Sequence, residues 1–370
     1  MKESEAERSS EESVVSAQSE AMSQDLRGIM GTHSGEQRDV GTEQRRIDAA
    51  WREYSGYDDR YKQANAERGQ AGKIQVLHYP EATIVASIHV DDAGRAVSGH
   101  EHDPDAQSLR DQEQAYRDYL KSTPPDQRLV IHEGSKIEIA DRDSAIRKRA
   151  DAGLTMHLAQ VTNVEAVSGE PTDEEVADYL EIQGVERDQT ALFTTLRALG
   201  STLLSDETAE DVSQAGIDVA QLVHFQLARN HVEGFRNYTD DEKQEISKDP
   251  ARVQQVLAEM SAQATTYALE RFNPILAAHG MPQFFLDETG HLQYAEHNGV
   301  NLVNMVAPSG DGYLNRIGKL TSEFRDKTIF SRLAHAVESG KKPFMVYGGS
   351  HVVALKPVFD AYFMAQPNTA

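Results

Sequence analysis

Apolar residues fall along this chain in two alternating patterns, and together they predict most of its elements. Short apolar or β-branched runs occur at Lys73-Ile-Gln-Val-Leu-His-Tyr79, Thr83-Ile-Val-Ala-Ser-Ile-His-Val90, Arg128-Leu-Val-Ile-His132, Val164-Glu-Ala-Val-Ser168 and Phe344-Met-Val-Tyr347. Runs of this length suit strands, and an apolar stretch without alternation suits a strand covered on both faces. Between them the apolar positions recur at helical spacing. Residues 105–121 carry Leu109, Tyr116 and Tyr119/Leu120, and residues 322–337 carry Phe330, Leu333 and Val337. Residues 188–272 read as helical throughout, most clearly in the stripe Val253, Val256, Leu257, Met260, Ala264 and Tyr267.

Local chemistry punctuates these segments. Thr123-Pro124-Pro125 stops the first helix, because proline cannot continue the backbone ladder. Residues 144–152 read as a helix capped by Gly153, with a second short helix over 154–161. Thr172, three residues before Glu175, is a capping box that opens another helix. Asp91-Asp92-Ala93-Gly94 is turn chemistry with a short return strand expected at 95–98, and residues 284–294 read as a hairpin turning at Glu288 to Gly290. The fold class that follows is α/β: a central, mostly parallel sheet flanked by helices, with a helical insertion at about 188–272.

Residues 1–70 differ from the rest. Rich in Ser, Glu, Gln, Arg and Asp, they bury too little apolar surface to offset ordering entropy, so a polar tail is expected to be disordered to about residue 40. An exposed helix is expected over 42–67, with Ile47, Trp51, Tyr54 and Tyr61 as a thin docking stripe. The single α/β domain then spans 71–370.

Composition narrows the function. The chain has 370 residues, 39% of them apolar, which supports a real core. A net charge of -23 argues against nucleic acid and against an anionic membrane surface, leaving small-molecule or peptide partners. The absence of cysteine removes disulfides, thiolate nucleophiles and Cys-based metal sites. An acidic start and no apolar stretch near the roughly 20 residues of a membrane span suggest a cytoplasmic protein, with its oligomeric state open.

Candidate chemistry collects at the predicted strand ends. In a parallel sheet all the carboxyl ends lie on one edge, where crevices form. His102, Glu133, Glu170 and His351 each follow a strand. Gly348 and Gly349 turn the backbone tightly just before His351. Two histidines and two carboxylates without cysteine suit Mn, Co, Fe or Zn in a hydrolytic site, where the metal lowers the pKa of bound water towards 7. A carboxylate outside the metal's coordination could serve as general base. Glu133, directly after Leu-Val-Ile, is costly to bury unless paired. Glu170 could instead favour the positive N-terminus of the helix that follows. His224 and His231, seven apart, are expected on one helix face, one of them a satisfied histidine and the other on the surface.

These residues resemble a family. Gly99-His-Glu-His102 and Gly348-Gly-Ser-His351 fit the Gly-x-x-His pattern that brackets the TraB, Tiki, ChaN and erythromycin-esterase-like superfamily. Leu-Val-Ile-His-Glu-Gly134, Asp143-Ser-Ala-Ile146, Gly-Glu-Pro-Thr-Asp-Glu-Glu175 and Thr194-Thr-Leu-Arg197 follow in the order that superfamily uses, over residues 83–363. The resemblance implies an α/β domain with a polar crevice, used for metal-dependent peptide cleavage, for macrolide ester hydrolysis or, in ChaN-like members, for haem binding. It would make His102 and His351 the motif histidines, Glu133 and Glu170 the intervening acids, and Arg197 a partner for a carboxylate or an anionic substrate group. Two departures stand out: Gly99 occupies the place where esterase-like members carry a glutamate, and His89 competes with His102 for the first position.

Overall fold

The computed structural model describes residues 40–54, 56, 57, 62, 74–87, 105–134, 139, 141–205, 218–296 and 298–364. The chain divides into two units, Met1–Asp48 and Ala49–Ala370, and the sheet lies entirely in the second. Helix α1 covers Val40–Trp51, shorter than the helix expected over 42–67. Tyr61 lies outside the described residues.

Five strands form the main sheet: β1 (Gln75–Tyr79), β2 (Ala82–Ser87), β3 (Arg128–His132), β4 (Ala166–Ser168) and, last in the chain, β7 (Lys342–Gly348). Their spatial order is β1-β2-β7-β3-β4. Only the edge hairpin β1–β2 is antiparallel; β2, β7, β3 and β4 run parallel. The expected strand pair at one side of the sheet is thus found, while the predicted turn and return strand at 91–98 lie outside the described residues.

The latest strand occupies the middle. Phe344, Met345, Val346 and Tyr347 are all completely buried, as an unalternating apolar run requires. Burial of Phe344, Met345 and Val346 contributes about 1.5–3 kcal/mol each. Phe344 and Val346 pack on one face with Val85, Val130, Tyr116, Tyr119 and Ala159. The two tyrosines belong to α2 (Gln107–Ser122), and Ala159 to α3 (Arg142–Val161). Two further helices pack on the sheet, α11 (Tyr313–Glu338) against β7 and α12 (Gly349–Met364) against β2 and β7.

Helix α3 departs from the predicted break. Arg149 (φ -148°, ψ 22°) and Ala150 (φ 46°, ψ -127°) interrupt it, four and three residues before the expected cap at Gly153. Gly153 instead permits close approach: a Cβ there would lie 2.0 Å from the Ala145 carbonyl oxygen across the kink.

Between β4 and β7 the chain builds a helical region. It runs through α4 (Asp173–Ile182), α5 (Arg187–Ser205), α6 (Val219–Arg229), α7 (Asp240–Ser247), α8 (Pro250–Tyr267), a π-helical turn at Ala268–Phe272, and α9 (Asn273–Ala278). The hairpin β5 (Phe284–Leu286) and β6 (Leu292–Tyr294) and helix α10 (Gly299–Val306) follow. The capping box of Thr172 with Glu175 opens α4 as its spacing predicts. Helicity over 188–272 is not continuous, because the segment from Asn230 to Thr239 is irregular. The apolar core of this region gathers residues from Leu180 to Ile317, wider than the expected insertion.

Candidate active site at the carboxyl ends of the sheet

His132 and Ser168 are paired partners at the ends of β3 and β4, so Glu133 and Glu170, just beyond them, emerge side by side. Arg325, in the middle of α11, joins the two. Its Nε and Nη2 donate to the two oxygens of Glu170, each at 2.7 Å, and Nη2 reaches Glu133 Oε1 at 3.4 Å. This is a fork-on-fork pair with a second carboxylate attached. The other oxygen of Glu133 accepts the Gly348 N–H at 2.8 Å, which ties the end of β3 to the end of β7. Burial works against the charged form of Arg325, but Glu170 and Glu133 outweigh it and hold the guanidinium above its ordinary range. Arg332, two helical turns on, donates to the carbonyls of Ser168 and Glu170 and so fixes the loop that carries Glu170.

The next residue on α11 faces elsewhere, because neighbours on a helix point about 100° apart. Asp326 is completely buried. Its Oδ1 lies 2.5 Å from His351 Nδ1, and its Oδ2 accepts Tyr54 Oη–H at 2.6 Å and Tyr57 Oη–H at 3.1 Å. A carboxylate can only accept, so Nδ1 carries the proton and Nε2 is left to act as base or ligand. His351 reaches this place because α12 begins at Gly349, directly after β7. The tyrosines arrive from the segment after α1, where Gly56 at φ 64° turns the chain between them. Trp51 stacks on Tyr54 at 4.3 Å and lies 6.3 Å from Phe330, so two of the predicted docking residues do dock. Burial first, and then the Asp326 charge, push the Tyr54 hydroxyl far above its usual range, which keeps it protonated and donating.

Two more groups complete the arrangement. The Tyr347 hydroxyl is buried without a hydrogen-bond partner among the described residues, and burial together with Glu170 and Glu133 pushes it well above its ordinary pKa. Arg197 on α5 is exposed, yet it is deep enough among protein groups that burial and the Arg325 cation lower it to about 10. Arg197 also feels the charges of Glu170 and Glu133.

Family models, curated proteins and solved structures were each compared with this chain, and none matches. The site therefore has to be read from its own geometry.

Of the residues singled out in the sequence, Glu133 and Glu170 are brought together, with Arg197 within electrostatic reach of both. His351 lies at the same sheet edge but pairs with Asp326. His102 and His89 lie outside the described residues. Among the described residues no group of three or more His, Asp or Glu side chains is spaced to hold a metal ion. As arranged, Glu133 and Glu170 do not fit a metal centre, because a dication would compete with Arg325 for the oxygens the guanidinium already holds.

Arg325, Asp326, Tyr54, Tyr57 and Tyr347 were not anticipated. Arg325-Asp326 sits in Phe324-Arg-Asp-Lys-Thr-Ile-Phe330, in a helix that also carries Lys319, Glu323, Lys327 and Arg332, so nothing in the sequence singles the pair out. The histidine pair in the helical region also differs from expectation. His224 is buried on α6, whereas His231 lies past the helix end at φ 55°, so they share no helix face.

Proposed function

We propose that this crevice hydrolyses an ester or amide bond, with His351 as the general base. The observation that carries the reading is the buried Asp326–His351 pair, 2.5 Å apart at the end of the central strand. Asp326 fixes the imidazole by holding Nδ1–H, and the tyrosine hydroxyls fix Asp326. Nε2 can then take a proton from a water as its oxygen attacks the carbonyl carbon, and return that proton to the leaving oxygen or nitrogen as the tetrahedral intermediate collapses. The first amides of α12 have no intrahelical acceptor, and they lie at the same strand end where the carbonyl oxygen would gain negative charge. Glu133, Arg325 and Glu170 form a rigid charged wall. The net charge of -23 favours a small molecule or a peptide over nucleic acid as substrate. No helix among the described residues is long and apolar enough to cross a membrane, and we read the setting as cytoplasmic.

A second reading keeps the histidine and drops the reaction. A carboxylate on Nδ1 raises the basicity of Nε2 as a ligand, which would suit haem or another small ligand. One experiment separates the two. Wild type and His351→Asn, matched for folded content, are assayed on p-nitrophenyl esters and fluorogenic peptides, with and without EDTA, and titrated with hemin. The hydrolase reading expects turnover that EDTA leaves unchanged and that falls about 100- to 10,000-fold in the variant. No turnover on any substrate, with a stoichiometric Soret band that the variant lacks, would replace it with haem binding. Turnover lost to EDTA and restored by Mn, Co, Fe or Zn would bring back a metal centre, with His102 the first residue to test.

A further inference from the structure

We infer that Tyr54 and Tyr57 are positioning residues that make the short segment after α1 a latch: docked, it holds Asp326 and His351 as a base, and lifted, it releases them. The effect on turnover rests on the hydrolase reading, whereas the coupling between latch and histidine does not. The groups involved all lie in the unit Ala49–Ala370. The hydroxyls of Tyr54 and Tyr57 donate to one oxygen, Asp326 Oδ2, at 2.6 and 3.1 Å, and the Tyr57 hydroxyl also lies 3.4 Å from His351 Nδ1. The other oxygen of Asp326 takes the imidazole at 2.5 Å. One carboxylate therefore ties the latch to the histidine.

A completely buried carboxylate is costly unless donors surround it. Two of the three side-chain donors on Asp326 come from the latch, so lifting it opens the charge to water or forces a proton onto it. In either state the carboxylate no longer fixes Nδ1–H, and Nε2 loses its orientation. Among the described residues the backbone bonds of the latch return to α1, from the Glu53 and Tyr54 amides to the Ala50 and Trp51 carbonyls at 3.0 Å. Its grip on α11 comes from side chains: the two hydroxyls, and Trp51, which stacks on Tyr54 and lies 6.3 Å from Phe330. A segment gripped in this way opens at lower free energy than a strand bonded through its backbone. A second carboxylate lies beneath it. Glu323, one helical turn before Asp326, has Oε1 at 3.6 Å from where a Cβ would stand on Gly56. Docking excludes water from both acids and strengthens their repulsion, so the closed state is opposed as well as held.

Trp51 is the only tryptophan in the chain, so its quenching by acrylamide reports the latch in the full-length protein. Deuterium exchange of the peptide 49–57 follows the same opening, with residues 342–348 of β7 as the reference for the fold. Tyr54→Phe/Tyr57→Phe should speed exchange in 49–57 about 10- to 100-fold, leave 342–348 unchanged, and lower kcat on the ester panel with KM held. By linkage, the pair must hold the latch as the latch holds the pair. His351→Ala should therefore expose Trp51, whereas His351→Asn, whose amide nitrogen stands in for Nδ1, should keep it covered. Gly56→Ala alters no group at the site but strains the turn at φ 64°, and should open the latch and lower kcat together. Unchanged protection of 49–57 in the tyrosine variant, or equal opening of 49–57 and 342–348, would overturn the latch. Equal quenching in His351→Ala and wild type would overturn the coupling. A rise in KM in place of a fall in kcat would put the tyrosines on the substrate and overturn their action through Asp326. In a protein that hydrolyses nothing, the exchange and quenching arms still decide the latch, and only the reaction is lost.

Discussion

At the sheet edge Asp326 is completely buried and accepts from Tyr54, Tyr57 and His351, while Glu170 has both oxygens on Arg325. In the helical region His224 is also buried, against the edge of Phe235, but neither ring nitrogen makes a well-formed hydrogen bond among the described residues. The hydroxyl of Tyr294 and Oε1 of Gln226 are in the same position. Around them lies an apolar core of Leu, Val, Ala and Phe. The Asp326 and Glu170 networks thus bury polar groups in partnership, whereas Tyr294 and Gln226 each bury an oxygen without a hydrogen-bond partner among the described residues, as Tyr347 does at the sheet edge. A partnered network is costly to break, because each deletion leaves a desolvated group behind, whereas a lone buried polar group already carries that cost.

Mutations should reproduce the contrast. Asp326→Ala leaves two tyrosine hydroxyls and a histidine without their acceptor and should destabilise the fold by about 3–5 kcal/mol in urea unfolding. A loss below about 1 kcal/mol would mean that the network is not formed in solution.

His224→Leu reverses the sign. Replacing this buried imidazole, which is held only weakly by the Arg236 backbone, with an apolar side chain should be neutral or stabilise by up to about 1 kcal/mol, without altering turnover. A clear loss of stability would show that the contact with the Arg236 backbone is a full hydrogen bond. Burial lowers the pKa of His224, with the Arg236 backbone offsetting only part, so its unfolded form binds the proton more readily. Wild-type stability should therefore weaken as pH falls through the ordinary histidine range, and that slope should shrink in the variant.

The smallest effect belongs to the β5–β6 hairpin. There the Thr289 hydroxyl and the His291 amide lower Asp287 to about 2. A depressed carboxylate stabilises above its unfolded pKa of 3.8 and loses that contribution as pH falls through about 2. Amide exchange of Leu286 and Leu292 should quicken over that range, and Asp287→Asn should remove the pH dependence. Asp287 is solvent-screened, so the step will be modest.

The strands of the sheet were legible because their apolar runs are short and sharply bounded, and Phe344 to Tyr347 read as doubly covered from the absence of alternation alone. Thr172 and Glu175 announced their helix through a purely local motif. The break in α3 was not legible, because Gly153 carries the same letter whether it caps a helix or lets one backbone cross another. For the candidate site, residues placed just after strands could be read from topology, so Glu133, Glu170 and His351 lie at the strand ends where the sequence put them. Their partners could not. Arg325 and Asp326 lie on a helix and Tyr54 and Tyr57 before the sheet begins, and no periodicity links positions some 270 residues apart in sequence, such as Tyr57 and Asp326 at a separation of 269.

The measurement that bears most directly on the central claim is hydrolysis of the ester and peptide panel by wild type, His351→Asn and Tyr54→Phe at matched folded concentrations. A base held by Asp326 predicts turnover in wild type, a loss of about 100- to 10,000-fold without His351, and a smaller loss without the Tyr54 hydroxyl. Equal turnover in wild type and His351→Asn would contradict it.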